Sequence, residues 1–509
     1  MPQYKIAYGN SIIDGGLFLR GQTPHSLIPE YEDGKGRSFK HLSTFSGKST
    51  IKENLVEILN NAKAYVFFTS FLIQDGQTIQ SLIEAARRLR GHVYVLTTLK
   101  DNDFDAIASL GNEIDDEQWN FKEHIECVQE LVHNGISVRA RKDCHAKFAV
   151  IDDKYAIVTS ANAVPTCFTD IPQKNGRTRE ANPENGILFE MPSEVKRLSN
   201  FFRAIWRSAY NYYLPPDAHI SEIGEFSKEI IPITCSEPAS ISDDGQIVWT
   251  APGDCRILNS IAKMIDTAKQ KIIISSWVIK GIEKHLLGHK LLEAAKRGVE
   301  IEILLRGMYR RDHLDSCYFL KKALREQINI RGDFCNHSKA VLIDNKEAMI
   351  LTANIDSQHG LDSSVEMGFL SQQPDFINSV ANFLDRLRAG CGLEFIANPK
   401  QKHAAEKFPT LSKPIFTGNL TINIEQRWKN RNQIINKLIS EMNNQLVRIS
   451  NHEEGRNQKV RLLTNNIIVD CVNRGENSLQ ILHISETTNA ANLRFQQILP
   501  ETTIEINVS

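Results

Sequence analysis

The stretch DCHAKFAVIDD, Asp143–Asp153, places a histidine and a lysine two residues apart at the head of an apolar run. Strand periodicity turns His145 and Lys147 to one face, and the run Phe148 to Ile151 reads as a buried strand closed by a polar turn. One such segment decides little, because a lone histidine more often fills or caps a fold than reacts. A second copy changes the reading. NHSKAVLIDNKEAMILTAN, Asn336–Asn354, restates CHAKFAVIDDKYAIVTSAN, Cys144–Asn162, without a gap.

The repeat extends backwards. SGKSTIKENLVEILNNAKAYVFFTSFLI lies over PGDCRILNSIAKMIDTAKQKIIISSWVI, and AARRLRGHVYVLTTL over EAAKRGVEIEILLR, each reading as a helix followed by a buried strand. Gly47 pairs with Gly253 and Lys63 with Lys269 at an offset of 206, whereas His145 pairs with His337 at 192. The first half therefore carries a longer middle segment, the acidic run from Asp101 to about Glu123. The alignment also removes a decoy. FSGKST ends like a phosphate-binding loop, but Leu42 stands where that loop needs glycine and the paired APGDCR has no Lys-Ser, so a turn and helix N-cap at Ser49 or Thr50 is expected. The resulting plan is an N-terminal extension (1–44), a first half (45–220), a Ser-, Pro- and Asp-rich linker (221–246), a second half (247–398) and a C-terminal α+β module (415–509) of β-α-β-β-α-β order.

Bulk composition narrows the class. At 509 residues several domains are expected, and 41% hydrophobic with 24% charged residues fits a globular chain. A net charge of −1 supplies no long-range positive field, so a polyanionic partner has to meet local basic groups. Arg87, Arg88 and Arg90, Arg139, Arg141 and Lys142, and Arg306, Arg310 and Arg311 are the candidates. The nine cysteines include no CxxC pair, which argues against a disulfide framework or zinc ribbon and favours a reducing, cytoplasmic setting. MPQYKIAYGN is not a secretory leader, and the longest apolar runs are about half a membrane span, so no integral membrane association is expected.

The residue types in the repeats suit phosphoryl chemistry. Lys147 and Lys339 ammonium groups and Asn162 and Asn354 amides are donors for non-bridging phosphoryl oxygens. Glu184 in ENGILFE and Glu366 in VEMGFL are placed to accept the Nδ1–H of an active-site histidine, leaving Nε2 free. With two such sets around one phosphodiester, one histidine attacks phosphorus while the other protonates the leaving oxygen. The scheme needs no cofactor, and a lysine two residues from each histidine is a poor neighbour for a metal.

HAKFAVID with TSAN, and HSKAVLID with TAN, resemble the paired HxKxxxxD motifs and GSxN-like elements of the phospholipase D superfamily. The resemblance covers about residues 45 to 395. It implies an α/β fold of two tandem α-β-α sandwich halves around a pseudo-two-fold cleft, with His145, Lys147 and Asn162 facing His337, Lys339 and Asn354. It further implies supporting roles for Asp152 and Asp344, and attack by the first-half histidine, His145. The sequence departs from the pattern where Thr159 and Leu351 replace the glycine and Ser160 becomes Thr352. The first half also has a longer loop, PTCFTDIPQKNGRTREANP, whose Lys174, Arg177 and Arg179 are candidate phosphate contacts or parts of a lid.

The superfamily includes lipid hydrolases and transferases as well as metal-independent nucleases, so the motifs leave the substrate open. A nuclease acting on DNA or RNA is the expectation. The alternatives are a phospholipase or phosphatidyltransferase at the cytoplasmic membrane face and a non-catalytic phosphate-binding scaffold. A bacterial defence nuclease working beside a DNA-translocating ATPase, or as a homo-oligomer, is consistent with the nuclease expectation.

Overall fold

The computed structural model describes residues 3–7, 12–21, 31–98, 121–211 apart from 142, 174, 175 and 177, and 244–407 apart from 309, 358 and 359. Beyond these it describes 420–424, 436, 438, 440, 448–451, 459–464, 467–474, 478–486, 497–498 and 503–508. The chain divides into two units. One comprises His25–Arg306 with Asp333–Gly390, and the other Met1–Pro24, Gly307–Gly332 and Cys391–Ser509.

The first unit holds both copies of the repeat. Its first half contains β1 (Phe39–Phe45), α1 (Thr50–Asn60), β2 (Val66–Thr69), α2 (Gly76–Arg88), β3 (Val93–Thr97), α3 (Phe121–His133), β4 (Ser137–Ala140), β5 (Phe148–Ile151), β6 (Tyr155–Thr159), β7 (Glu184–Phe189) and α4 (Pro192–Ser208). The strands lie in the order β4-β3-β2-β5-β6-β7-β1, with β2, β3 and β4 parallel and the rest antiparallel. The second half contains β8 (Gln246–Ala251), α5 (Arg256–Thr267), β9 (Lys271–Ser275), α6 (Leu286–Lys296), β10 (Glu300–Arg306), β11 (Ala340–Ile343), β12 (Glu347–Leu351), β13 (Glu366–Ser371) and α7 (Pro374–Gly390). Its order, β10-β9-β11-β12-β13-β8, repeats β3-β2-β5-β6-β7-β1 strand for strand. The duplication read from sequence is thus a duplication of topology.

Local chemistry explains the elements. Ser49 caps α1 by accepting from the Lys52 amide, and Ile51, Leu55, Ile58 and Leu59 bury one helical stripe. Strand alternation then serves two layers. Val66 and Phe68 face a core shared with Leu55, Leu82, Ile83 and Val128, while Phe67 stacks on Phe202 of α4 at 4.4 Å between ring centroids. Aromatic rings also join the halves: Phe189 meets Phe369 at 5.2 Å and Phe201 meets Trp249 at 5.2 Å. Each fully buried ring of this kind contributes about 1.5–3 kcal/mol.

Three expectations are revised. A boundary at residues 44/45 falls inside β1, because the strand before α1 belongs to the first-half sheet, as β8 belongs to the second. Strands β5 and β11 begin at Phe148 and Ala340, not at the histidines, since the preceding residues bond across to the opposite half. In the other unit the C-terminal strands form an eight-stranded sheet that also takes in Gln3–Ala7, paired antiparallel with Thr503–Val508. The long helix expected after Ile424 lies mostly outside the described residues; Asn436, Leu438 and Ser440 are helical. The acidic run through residue 120 and most of the 221–246 linker also lie outside them.

Candidate active site

The turns that follow each repeat explain the aspartate of the motif. Asp152 and Asp153, and Asp344 and Asn345, take positive φ between 50° and 57°, the two central positions of a type I′ hairpin turn that short polar residues tolerate. Asp152 accepts the amides of Lys63, Ala64 and Tyr65 at 2.7–2.9 Å, and Asp344 those of Lys269, Gln270 and Lys271 at 2.7–2.8 Å. Both therefore close the helix-to-strand connection at the end of the strand remote from the histidine. They hold the fold and do not touch the imidazoles.

At the opposite ends, the halves exchange contacts. The His145 amide donates to the carbonyl of Val365 at 3.0 Å, and the His337 amide to that of Pro183 at 3.2 Å. The next residue in each case is a glutamate. Glu366 Oε1 lies 2.7 Å from His145 Nδ1, and Glu184 Oε1 lies 2.7 Å from His337 Nδ1. Each histidine is thus oriented by the carboxylate of the other half. Thr352 and Ser160 donate their hydroxyls to the second oxygens of Glu366 and Glu184, and accept the amides of Met367 and Asn185 at 2.9 and 3.0 Å. A hydroxyl suffices here, so threonine serves where the family pattern has serine.

The other ring nitrogen of each histidine meets a lysine. Lys147 Nζ lies 2.7 Å from His145 Nε2 and Lys339 Nζ 3.1 Å from His337 Nε2, and each ammonium also donates to the carbonyl of its own histidine residue at 2.6 or 2.8 Å. Both lysines are buried, at 1% and 0% exposure, while His145 and His337 retain 9% and 7%. An ammonium is costly to bury without anionic or polar company, and here a carbonyl oxygen and an imidazole nitrogen supply it to each lysine. Asn162 and Asn354 are buried as well, and the Asn162 Oδ1 has no hydrogen-bond partner among the described residues. Rotation of that carboxamide offers either an acceptor or a donor to a ligand.

Several supporting residues carry no sequence signal of their own. Ser70 and Ser276 accept the amides of Ala163 and Ile355 at 3.1 Å, fixing the chain just after each asparagine. Phe71 and Trp277 set their rings edge-on to His145 and His337 at 5.1 and 6.1 Å. Asn185 breaks the symmetry, clamping the Lys339 backbone with two 3.2 Å bonds where the second half has Met367. The Cys167 thiol, a Glu184 oxygen and a His337 nitrogen lie within 4.8 Å of one another. Burial, aided by the Glu184 charge, pushes the Cys167 thiol well above its usual range, and Glu184 is already engaged by His337. The trio reads as a hydrogen-bonding set rather than as metal ligands.

The basic candidates are largely used internally. Arg141 is held bidentate by Asp143 at 2.6 and 2.9 Å, Arg139 caps the Trp206 carbonyl, and Arg88 caps Leu59 and Ala62. Arg179 donates to Asn182 Oδ1 at 3.3 Å; Lys174 and Arg177 lie outside the described residues.

Residues 55–206 and 261–388 match the family model described as cardiolipin synthase, PLD-like domain. The chain belongs to the phospholipase D superfamily. The two phospholipase D-like halves are the two topological repeats described above, and their chemistry is directed at phosphodiesters. The structure is similar to phosphatidylserine synthase from Haemophilus influenzae Rd KW20, at 13% identity and a TM-score of 0.50, over 74% of this chain and 90% of that one. It also matches Nuc, a phospholipase D family member from Salmonella typhimurium, at 20% identity and a TM-score of 0.25 over 28% of this chain and 94% of that one. NucT from Helicobacter pylori matches at 16% identity and a TM-score of 0.26, over 29% of this chain and 99% of that one. The likeness to the synthase bears on the fold, and none of the three decides the substrate. No curated protein matches the sequence. Among the described residues, no helix is long and apolar enough to cross a membrane.

Proposed function

We propose that this chain is a metal-independent phosphodiesterase that cleaves nucleic acid through a phosphohistidine intermediate. The observation that carries the chemistry is the crossed clamp: each imidazole bonds through Nδ1 to the carboxylate of the other half and faces a lysine ammonium at Nε2. A carboxylate at Nδ1 fixes the tautomer and stabilises positive charge on the ring. The lysine at Nε2 stands where a metal would have to bind.

In the proposed reaction Lys147 turns from His145 Nε2 to a phosphoryl oxygen as substrate enters. His145 Nε2 then attacks phosphorus, forming the P–N bond as the bond to the leaving oxygen breaks. His337, entering as imidazolium, gives its Nε2 proton to that oxygen. It next takes a proton from water, whose oxygen attacks phosphorus and breaks the P–N bond. Lys147, Lys339, Asn162 and Asn354 hold the charge that develops on the non-bridging oxygens. Lysine and asparagine donors contributed by both halves suit the charged backbone of a polyanion. A second reading, phosphatidyl transfer, is favoured by the matching family model, described as cardiolipin synthase, PLD-like domain.

The test uses labelled single-stranded and duplex DNA, RNA and phosphatidylglycerol vesicles in EDTA, with wild type, His145→Ala and His337→Ala. Nucleic-acid cleavage is expected to persist in EDTA and to fall by at least about a thousandfold in either variant. Turnover of lipid alone overturns the substrate, and loss of activity in EDTA overturns the mechanism.

A further inference from the structure

Among the described residues, one aromatic ring outside the histidines is exposed, that of Phe334 at 53%. It stands three residues before His337, within about 10 Å along the chain. Phe334 is not on a loose tip. The Asp333 carboxylate accepts the Cys335 amide at 2.7 Å, and Asn336 bonds the carbonyls of Ser276 at 3.3 Å and Leu304 at 3.2 Å. Ser276 and Leu304 lie at the carboxyl ends of the parallel strands β9 and β10, the edge on which open α/β sheets place ligands. The segment that delivers His337 is thus anchored on both sides of Phe334, whose ring is left in water despite the cost of exposing a phenylalanine.

The duplication sharpens the point. At the offset of 192 that superposes the histidines, the counterpart of Phe334 is Lys142. The approaches to the two histidines therefore differ, with an aromatic face before one and a cation before the other. A single exposed ring suits one stacked base better than acyl chains, which need a continuous apolar surface.

Resting on the nuclease reading above, we propose that Phe334 is a stacking platform for an unpaired nucleobase adjoining the scissile phosphate, which makes single strands the preferred substrate. A base inside a duplex already stacks on its neighbours and presents no free face to the ring.

The experiment compares wild type, Phe334→Ala and Phe334→Trp on a single-stranded oligonucleotide, its duplex, and single strands carrying one abasic nucleotide at each position around the cleavage site. Phe334→Ala is expected to raise KM roughly tenfold with kcat nearly unchanged, and Phe334→Trp to restore binding. One abasic position is expected to erase the difference between wild type and Phe334→Ala, because the ring then has no partner. Equal KM for wild type and Phe334→Ala on the intact strand, or a penalty that persists at every abasic position, overturns the platform while leaving the nuclease reading intact. Vesicle lipid turned over by wild type, with no nucleic acid cut, overturns both.

Discussion

At the residue scale the account turns on Nδ1 of each histidine. Glu366→Gln removes the charge that stabilises the His145 imidazolium and lets the amide favour the wrong tautomer, and Glu184→Gln does the same to His337. Each is expected to lower kcat by about a hundredfold with little change in KM, measured at saturating substrate. A loss confined to KM contradicts the orienting role. That His145 meets Lys147 and His337 meets Lys339 was legible because a two-residue spacing is local information. Which glutamate serves which histidine was not, since the pairs are 221 and 153 residues apart and exchange partners between halves. Ser70, Ser276 and Asn185 were silent for a related reason: a hydroxyl or amide gains meaning only from the backbone it meets.

At the element scale the hairpin turn, rather than the reaction, accounts for Asp152 and Asp344. Asp344→Ala leaves three amides of the helix-to-strand connection without their acceptor and is expected to cost about 2 kcal/mol in urea unfolding. Partial burial opposes ionisation of Asp344, but those three amides outweigh it and hold the carboxyl below its usual range. Its stabilisation is therefore fully present above the unfolded carboxyl pKa of roughly 3.9 and is lost as pH falls below it. Asp344→Ala should show a smaller acid-induced loss than wild type; an unchanged acid limb contradicts the assignment. Hairpin position and helix caps were readable because turn residues and capping hydroxyls announce themselves locally. Where β5 and β11 begin was not, because the residues before them bond to the opposite half instead of continuing the ladder.

At the scale of the whole molecule, duplication sets the plan and departures from it set the chemistry. The shared strand order follows from two aligned sequences, so the two halves were legible in the sequence. The grouping of Met1–Pro24 with Gly307–Gly332 and Cys391–Ser509 was not, because no local pattern reports pairing between Gln3–Ala7 and Thr503–Val508. Asn185 against Met367, and Phe334 against Lys142, are among the points at which the two copies have diverged. The central claim is that both imidazoles work on one phosphorus. Its most direct measurement is rapid-quench mass spectrometry in EDTA with an oligonucleotide whose scissile oxygen is replaced by a bridging sulfur, a leaving group that needs no proton. The account predicts a phosphoramidate on His145 that forms normally and accumulates in His337→Ala, and none in His145→Ala. No adduct on either histidine, or adduct formation abolished by His337→Ala despite the sulfur leaving group, contradicts it.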